Sequence, residues 1–162
     1  MIGVTLLTLD VDTGVDDRGI GMRIADVLRG KGNAVATVEP EATVADLLGR
    51  LAQGNYGALP VVRAGMLIGM VSERDVVRRL HERGAALLSA TVEDIMTTDL
   101  ATCTPDDSAA DLAKVMTTRR VRHLPVLVAG ELAGIVSIGD LVKARIDTLE
   151  KEREQLESYI TQ

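Results

Sequence analysis

Residues 59–75 read LPVVRAGMLIGMVSERD, and residues 124–140 read LPVLVAGELAGIVSIGD. The second stretch repeats the first in register 65 positions later, with the same Leu-Pro-Val, Ala-Gly, Gly, Ser and Asp. A repeat of this kind indicates two copies of one structural unit, each too short to bury a large core alone. We therefore expect the two copies to pack against each other.

The same order of elements surrounds the repeated stretch in both copies. Hydrophobic spacing, caps and turns predict the following elements in the first copy: a helix from Ile24, a strand at 34–38, a helix capped by Thr43, strands at 59–62 and 67–71 joined at Ala64-Gly65, and a helix at 72–83. Those predicted in the second copy are a helix capped by Thr91, strands at 101–104, 124–128 and 132–136, and helices from Ser108 and Ser137. Small sheets covered by helices on one side make an α+β fold.

The last predicted helix does not stop where its counterpart does. Residues 146–162 form a helical extension with an apolar stripe of Ile146, Leu149, Leu156 and Ile160, which Arg153 interrupts. One interpretation is a short coiled-coil seam that contacts a partner, and the other is a charged helical tail.

The composition limits the classes of function. A net charge of −6 and a pI of about 4.9 argue against a general nucleic-acid or membrane-surface binder, which would carry a basic field. The single cysteine, Cys103, cannot form an intrachain disulfide, so a reducing compartment is indicated. No apolar run approaches the roughly 20 residues of a membrane span. We expect a cytoplasmic protein with no nucleic-acid or membrane partner.

Residues 1–21 lie outside the repeat, and we expect this acidic leader to be poorly ordered. Its Asp10, Asp12, Asp16 and Asp17 follow an apolar run and resemble the amino-terminal metal motif of nucleoside hydrolases, D-x-D-x-G-x-D-D. Carboxylate clusters suit hard cations. That family needs a much longer chain, however, and the alternative is a solvated acidic segment. We predict no metal site.

Each copy ends in G-h-h-S-x-x-D, where h is apolar, at residues 69–75 and 134–140. Each also has an upstream Leu-Pro-Val and a Thr-x-x-Pro strand end, at 37–40 and 102–105. Together these motifs resemble the CBS domain pair, or Bateman module, with repeats at 22–84 and 85–145. The resemblance implies pseudo-twofold packing and clefts for AMP, ADP, ATP or S-adenosylmethionine, none of them a required cofactor.

The resemblance also implies roles for individual residues. It assigns the ribose to Ser72, Asp75, Ser137 and Asp140, the phosphates to Arg119, Arg120, Arg122 and His123, and the adenine pocket to Thr37, Val38, Thr102 and Cys103. Helix capping alone, with no ligand involved, is the alternative for both Ser-x-x-Asp motifs, and the two roles can also coexist. The sequence leaves open which Asp shares a cleft with the basic run.

The sequence contains no nucleophile elbow, Walker loop or metal-spaced Cys/His cluster. It therefore predicts a non-catalytic regulatory module that senses an adenine nucleotide and transmits occupancy through a homodimer or a regulated partner protein. The first alternative is a ligand-free structural adaptor acting through its C-terminal helix, and the second is a hydrolase acting through the leader.

Overall fold

The computed structural model describes residues 5–8, 21–31 and 34–160. Its strands are β1 (Thr5–Thr8), β2 (Ala58–Arg63), β3 (Met66–Ser72), β4 (Asp99–Thr102), β5 (His123–Val128) and β6 (Glu131–Ser137). Its α-helices are α1 (Ile24–Lys31), α2 (Val44–Gly54), α3 (Glu73–Arg83), α4 (Ala109–Arg119) and α5 (Ile138–Ile160), with short 3-10 helices at Gly84–Ser89 and Val92–Asp94. The α+β class and the two repeats are confirmed.

The repeated stretch forms the same antiparallel hairpin twice, β2–β3 and β5–β6. Both turns place an alanine and then a glycine at positive φ, 51° and 81° at Ala64-Gly65 and 51° and 83° at Ala129-Gly130. Two consecutive positive φ values are typical of type I′ hairpin turns, whose twist matches that of the strands. A register shift also falls at the equivalent place in each hairpin.

The two hairpins pack on each other through a small apolar layer. Ala58, Leu67 and Met70 of the first hairpin are buried there with Leu100 of β4. The second hairpin contributes residues that are partly buried against them, Leu127, Leu132 and Ile135. This layer joins the repeats, as expected of units that cannot bury enough apolar surface alone.

The strand predicted at 34–38 is not formed, and Val38 makes only a single parallel bridge to Val61. Val38 donates to the Pro60 carbonyl and accepts from Val62. A parallel ladder would continue through the N–H groups of residues 40 and 60, which are both prolines and have none. Cys103 makes the same bridge to Val126, and Pro105 and Pro125 occupy the equivalent positions to Pro40 and Pro60.

The first segment of each repeat completes the core of the other repeat. Ile24 and Val27 of α1 are buried with Leu112 and Leu124 of the second repeat, and the Ile24 N–H donates to the Asp107 carbonyl at 3.0 Å. Val92 and Ile95 lie in the first repeat's core. The two repeats therefore depend on each other for their cores.

The two ends of the chain add one strand and one long helix to the two repeats. β1 lies within the predicted leader and pairs in parallel with β4, whereas Asp10, Asp12, Asp16 and Asp17 fall outside the described residues. The long helix is confirmed as α5, and its end exposes Leu156, Tyr159 and Ile160. No helix in the described ranges is both long and apolar enough to cross a membrane.

Candidate functional site

The motif Asp residues lie where each hairpin feeds a helix. At the start of α3, the carboxylate oxygen Asp75 Oδ2 accepts from Ser72 N at 2.8 Å and from Ser72 Oγ at 2.6 Å. The Asp75 N–H donates back to Ser72 Oγ at 3.3 Å, which completes a capping box. Ser137 and Asp140 repeat the arrangement at α5, with the two backbone bonds at 2.8 and 3.1 Å.

Capping uses only one carboxylate oxygen of Asp75. Both bonds from Ser72 end on Oδ2, and among the described residues Oδ1 accepts none. The same carboxylate therefore caps α3 and keeps an oxygen available to a ligand. Capping and ligand binding are therefore compatible in this geometry.

Asp75 lies in a cavity of about 540 Å³, which we call cleft one. The first repeat contributes Ser72, Asp75 and neighbouring residues, and the second contributes the whole basic run of Arg119, Arg120, Arg122 and His123. The structure thus answers the question that the sequence left open, since the basic run shares a cleft with Asp75 of the opposite repeat. A smaller cavity of about 310 Å³ shares Arg74, Arg120 and Arg122 with it.

Sequence reasoning missed two further arginines of cleft one, Arg74 and Arg78. They lie four residues apart on α3, a spacing that places both on one face of a helix beside Asp75. Arg74 Nη1 donates to the Arg120 carbonyl at 3.2 Å and so ties α3 to the basic run. The carbonyl is turned toward it where Arg120 ends α4 in the left-handed conformation, φ 55°.

Guanidinium groups supply the positive charge of cleft one. Five arginines line it, against three acidic residues, Glu73, Asp75 and Asp99. Burial lowers the pKa of His123, and the charge of Lys31 lowers it further. His123 is therefore a neutral imidazole at pH 7, able to donate a hydrogen bond without adding charge. Its ring lies close to Gly57, where an added Cβ would meet Cε1 at 3.0 Å.

None of the four residues assigned to adenine, Thr37, Val38, Thr102 and Cys103, is among those that line cleft one. Val38, Thr102 and Cys103 are buried in the fold, and the Thr37 carbonyl is bonded by Arg50. Burial raises the pKa of the Cys103 thiol to about 12, so this thiol is unreactive at neutral pH. The apolar lining comes from other residues, Met70, Leu100, Ala101, Val121, Leu124 and Pro125.

The second motif Asp has a different neighbour. Lys31 Nζ, at the end of α1, donates to Asp140 Oδ2 at 2.7 Å and to the Ile135 carbonyl at 3.2 Å. Burial opposes ionisation of Asp140, but the bonds from Lys31 and Ser137 outweigh it and lower its pKa. We call this surface, formed by Lys31, Ile135, Ser137 and Asp140, cleft two.

Comparisons with known proteins agree with this architecture. The family model described as CBS domain matches residues 31–82 and 92–147. A CBS domain-containing protein of Arabidopsis thaliana, CBSX3, described as mitochondrial, is 36% identical over 146 residues, which are 85% of this chain and 71% of the relative.

Two solved structures are also similar to the chain. A CBS-domain containing protein from Agrobacterium tumefaciens is 39% identical with a TM-score of 0.75, and the match covers 76% of this chain and 99% of that one. The structure of CBSX2 in complex with AMP is 26% identical with a TM-score of 0.67, covering 79% and 98%.

Proposed function

Since the chain belongs to the CBS-domain family as a tandem CBS pair, we propose that it is a non-catalytic regulatory module that binds an adenine nucleotide in cleft one. The observation that carries the proposal is the meeting of Asp75 with five arginines in one cavity. A carboxylate suits ribose hydroxyls, and guanidinium forks suit phosphate oxygens. The related structure of CBSX2 holds AMP, which supports this class of ligand.

Each part of a nucleotide has a counterpart in cleft one. The ribose hydroxyls donate to the free Oδ1 of Asp75, next to the N-terminus of α3. The adenine ring lies against the aliphatic lining, Met70, Leu100 and Ala101 among it. The phosphates contact the arginines, whose charge exceeds that of the acids in the same cavity. We therefore place AMP, ADP and ATP ahead of S-adenosylmethionine, whose sulfonium adds a positive charge.

A ligand series of adenosine, AMP, ADP and ATP tests this proposal by calorimetric titration. Affinity is expected to rise with each phosphate, and S-adenosylmethionine is expected to bind more weakly than AMP. Arg122→Ala should weaken AMP binding by about 10- to 100-fold, because a hydrogen bond to a charged group contributes about 1.5–3 kcal/mol. The same variant should leave adenosine affinity unchanged.

Arg79→Ala is the matched control for the arginine variant. Arg79 lies on the same helix as Arg74 and Arg78 but pairs with Glu82 on the surface at 2.9 Å. Its loss should leave every affinity in the series unaltered. Equal affinity for adenosine and ATP in the wild type would show that the arginines do not meet phosphate.

We further propose that the protein forms a homodimer, through which it transmits the occupancy of the nucleotide site. The helices that follow the two hairpins expose valines at equivalent positions, Val77 at 66% and Val142 at 53%. Leu80, Ile146 and Leu149 extend the exposed apolar surface. Equivalent exposed positions on pseudo-symmetric helices fit a second copy of the chain, because a twofold interface is self-complementary.

Sedimentation of the wild type should therefore give a dimer, and the double variant Val77→Asp/Val142→Asp should sediment as a monomer. Two carboxylates in an apolar interface lose hydration without gaining partners. Val128→Asp, at an exposed valine of β5, is the control and should remain dimeric. A monomeric wild type would contradict the dimer.

A ligand-free adaptor is the second candidate. The closed capping boxes of α3 and α5 and the exposed apolar end of α5 favour it, since neither needs a nucleotide. In that case the working surface is α5 and the partner is another protein. The hydrolase alternative depends on Asp10, Asp12, Asp16 and Asp17, which lie outside the described residues.

A further inference from the structure

The two motif Asp residues are equivalent in sequence but not in electrostatic surroundings. Asp140 makes an ion pair with Lys31 at 2.7 Å, and the pair is partly buried, with 41% of the lysine and 24% of the Asp140 side chain exposed. Asp75 makes no ion pair within 4.0 Å in the described part of the chain. The difference comes from the segment that begins each repeat.

Lys31 is held in place by the fold. It ends α1, whose Ile24 and Val27 are buried in the second repeat and whose Ala25 N–H donates to the Pro105 carbonyl at 2.8 Å. Its ammonium bridges Asp140 to the Ile135 carbonyl. In the first repeat the equivalent carbonyl, that of Met70, accepts instead from the Thr97 backbone at 2.8 Å.

Cleft two also has fewer cations than cleft one, since Gly139 is equivalent to Arg74, although Lys143 is equivalent to Arg78. The residues equivalent to Arg119, Arg120, Arg122 and His123 are Gly54, Asn55, Gly57 and Ala58, and none is charged. The ammonium of Lys31, for its part, is already bonded to the carboxylate that a ribose would use. A phosphate entering here would have to take that ammonium from Asp140.

We propose that Lys31 is an internal plug of cleft two, so that each chain binds nucleotide in cleft one alone. The ammonium occupies the hydrogen-bonding position of a ribose hydroxyl on Asp140 and also holds the backbone carbonyl beside it. Lys31 is thus the residue that makes the two clefts of the pair unequal. This inference rests on the proposed function, because it assumes that the motif carboxylates receive ribose.

Removal of the plug has a definite chemical consequence. Without Lys31, cleft two offers an ionised carboxylate and a free carbonyl, and it has no counterparts of Arg119, Arg120 and Arg122 for phosphate. The ligand class it then suits is an uncharged nucleoside. Adenosine is the appropriate probe for cleft two, and AMP the probe for cleft one.

The test follows backbone amide signals of the ¹⁵N-labelled full chain during titration with each probe. Ser72 and Asp75 report on cleft one, and Ser137 and Asp140 report on cleft two. In the wild type only the cleft-one signals should saturate. In Lys31→Met, which keeps an aliphatic stem on α1, adenosine should also saturate the cleft-two signals, with affinity at least about tenfold above the wild type there.

Two further variants make the result specific. Lys31→Met/Asp140→Ala should lose the new site while retaining cleft one. Arg29→Met removes a cation from the same helix, one that pairs with Asp26 at 2.9 Å, and should bind like the wild type. Independently of any ligand, Lys31→Met should raise the pKa of the Asp140 carboxyl, leaving Ser137 and His123 as its polar neighbours.

The outcomes separate this inference from the function on which it rests. Saturation of both clefts in the wild type, or of cleft one alone in Lys31→Met, would overturn the plug and leave the proposed function standing. An unchanged pKa of Asp140 in Lys31→Met would overturn the plug as well. Failure of every variant to bind AMP or adenosine would overturn both proposals.

Discussion

Asp75→Ala is expected to lower the affinity for AMP by at least about 100-fold in calorimetric titration. Asp75 lines the cavity that holds the five arginines, and its Oδ1, which accepts no hydrogen bond among the described residues, would accept from the ribose. A hydrogen bond to a charged group contributes about 1.5–3 kcal/mol, and two vicinal hydroxyls bound to one carboxylate double that amount. Since about 1.4 kcal/mol is a tenfold change, the lower limit already exceeds two decades.

The same substitution removes a helix cap and will lower the melting temperature for that reason. Loss of a cap costs about 1 kcal/mol of stability, so lower stability alone says nothing about a ligand. Asp46→Ala is the matched control, because Asp46 and Thr43 form the corresponding capping box at the start of α2. It should lose a similar amount of stability and keep full AMP affinity.

The ligand offers a second route to the same contact. 2′-Deoxy-AMP should bind the wild type more weakly than AMP, and Asp75→Ala should no longer distinguish the two. This non-additivity is the mark of a direct interaction between two groups. Full AMP affinity in Asp75→Ala would instead make the motif a capping device and favour the ligand-free adaptor.

The hairpins and their helices were predictable because local chemistry determines them. Alternating apolar residues around Ala64-Gly65 predict strands and a tight turn, and Ser72 with Asp75 three residues later predicts a capped helix. All of these features are present in the structure. The prediction of a strand at 34–38 was wrong because an apolar run indicates only that residues are buried. A ladder of strand hydrogen bonds also requires backbone N–H groups, which Pro40 and Pro60 lack.

The composition of the site was harder to predict from the sequence, since the site is assembled from both repeats. The basic residues were recognised in Arg119 to His123, but their carboxylate partner is Asp75, far away in the chain. Periodicity indicates that Arg74 and Arg78 share a helix face, without showing what that face meets. The adenine assignment followed family position and selected Thr102 and Cys103, whereas the residues of this stretch that line the cavity are Leu100 and Ala101.

The sequence also did not predict that the first segment of each repeat packs in the core of the other repeat, because an amphipathic helix does not specify which core receives it. Ile24→Ala is expected to destabilise the protein by about 2–5 kcal/mol, the usual cost of truncating a fully buried isoleucine. Ile24 is completely buried beside Leu112, Met116 and Val136 of the second repeat. Urea unfolding measures the loss of stability, and hydrogen exchange followed by amide NMR locates it.

Hydrogen exchange should become faster first in α4 and in the β5–β6 hairpin, although Ile24 belongs in sequence to the first repeat. Val92→Ala provides the reciprocal variant, since Val92 is equally buried in the first repeat beside Val44 and Leu47. It should loosen α2 and the β2–β3 hairpin. Faster hydrogen exchange confined to the first repeat in Ile24→Ala would contradict the packing of α1 against the second repeat. It would also contradict the placement of Lys31 beside Asp140, because α1 carries both Ile24 and Lys31.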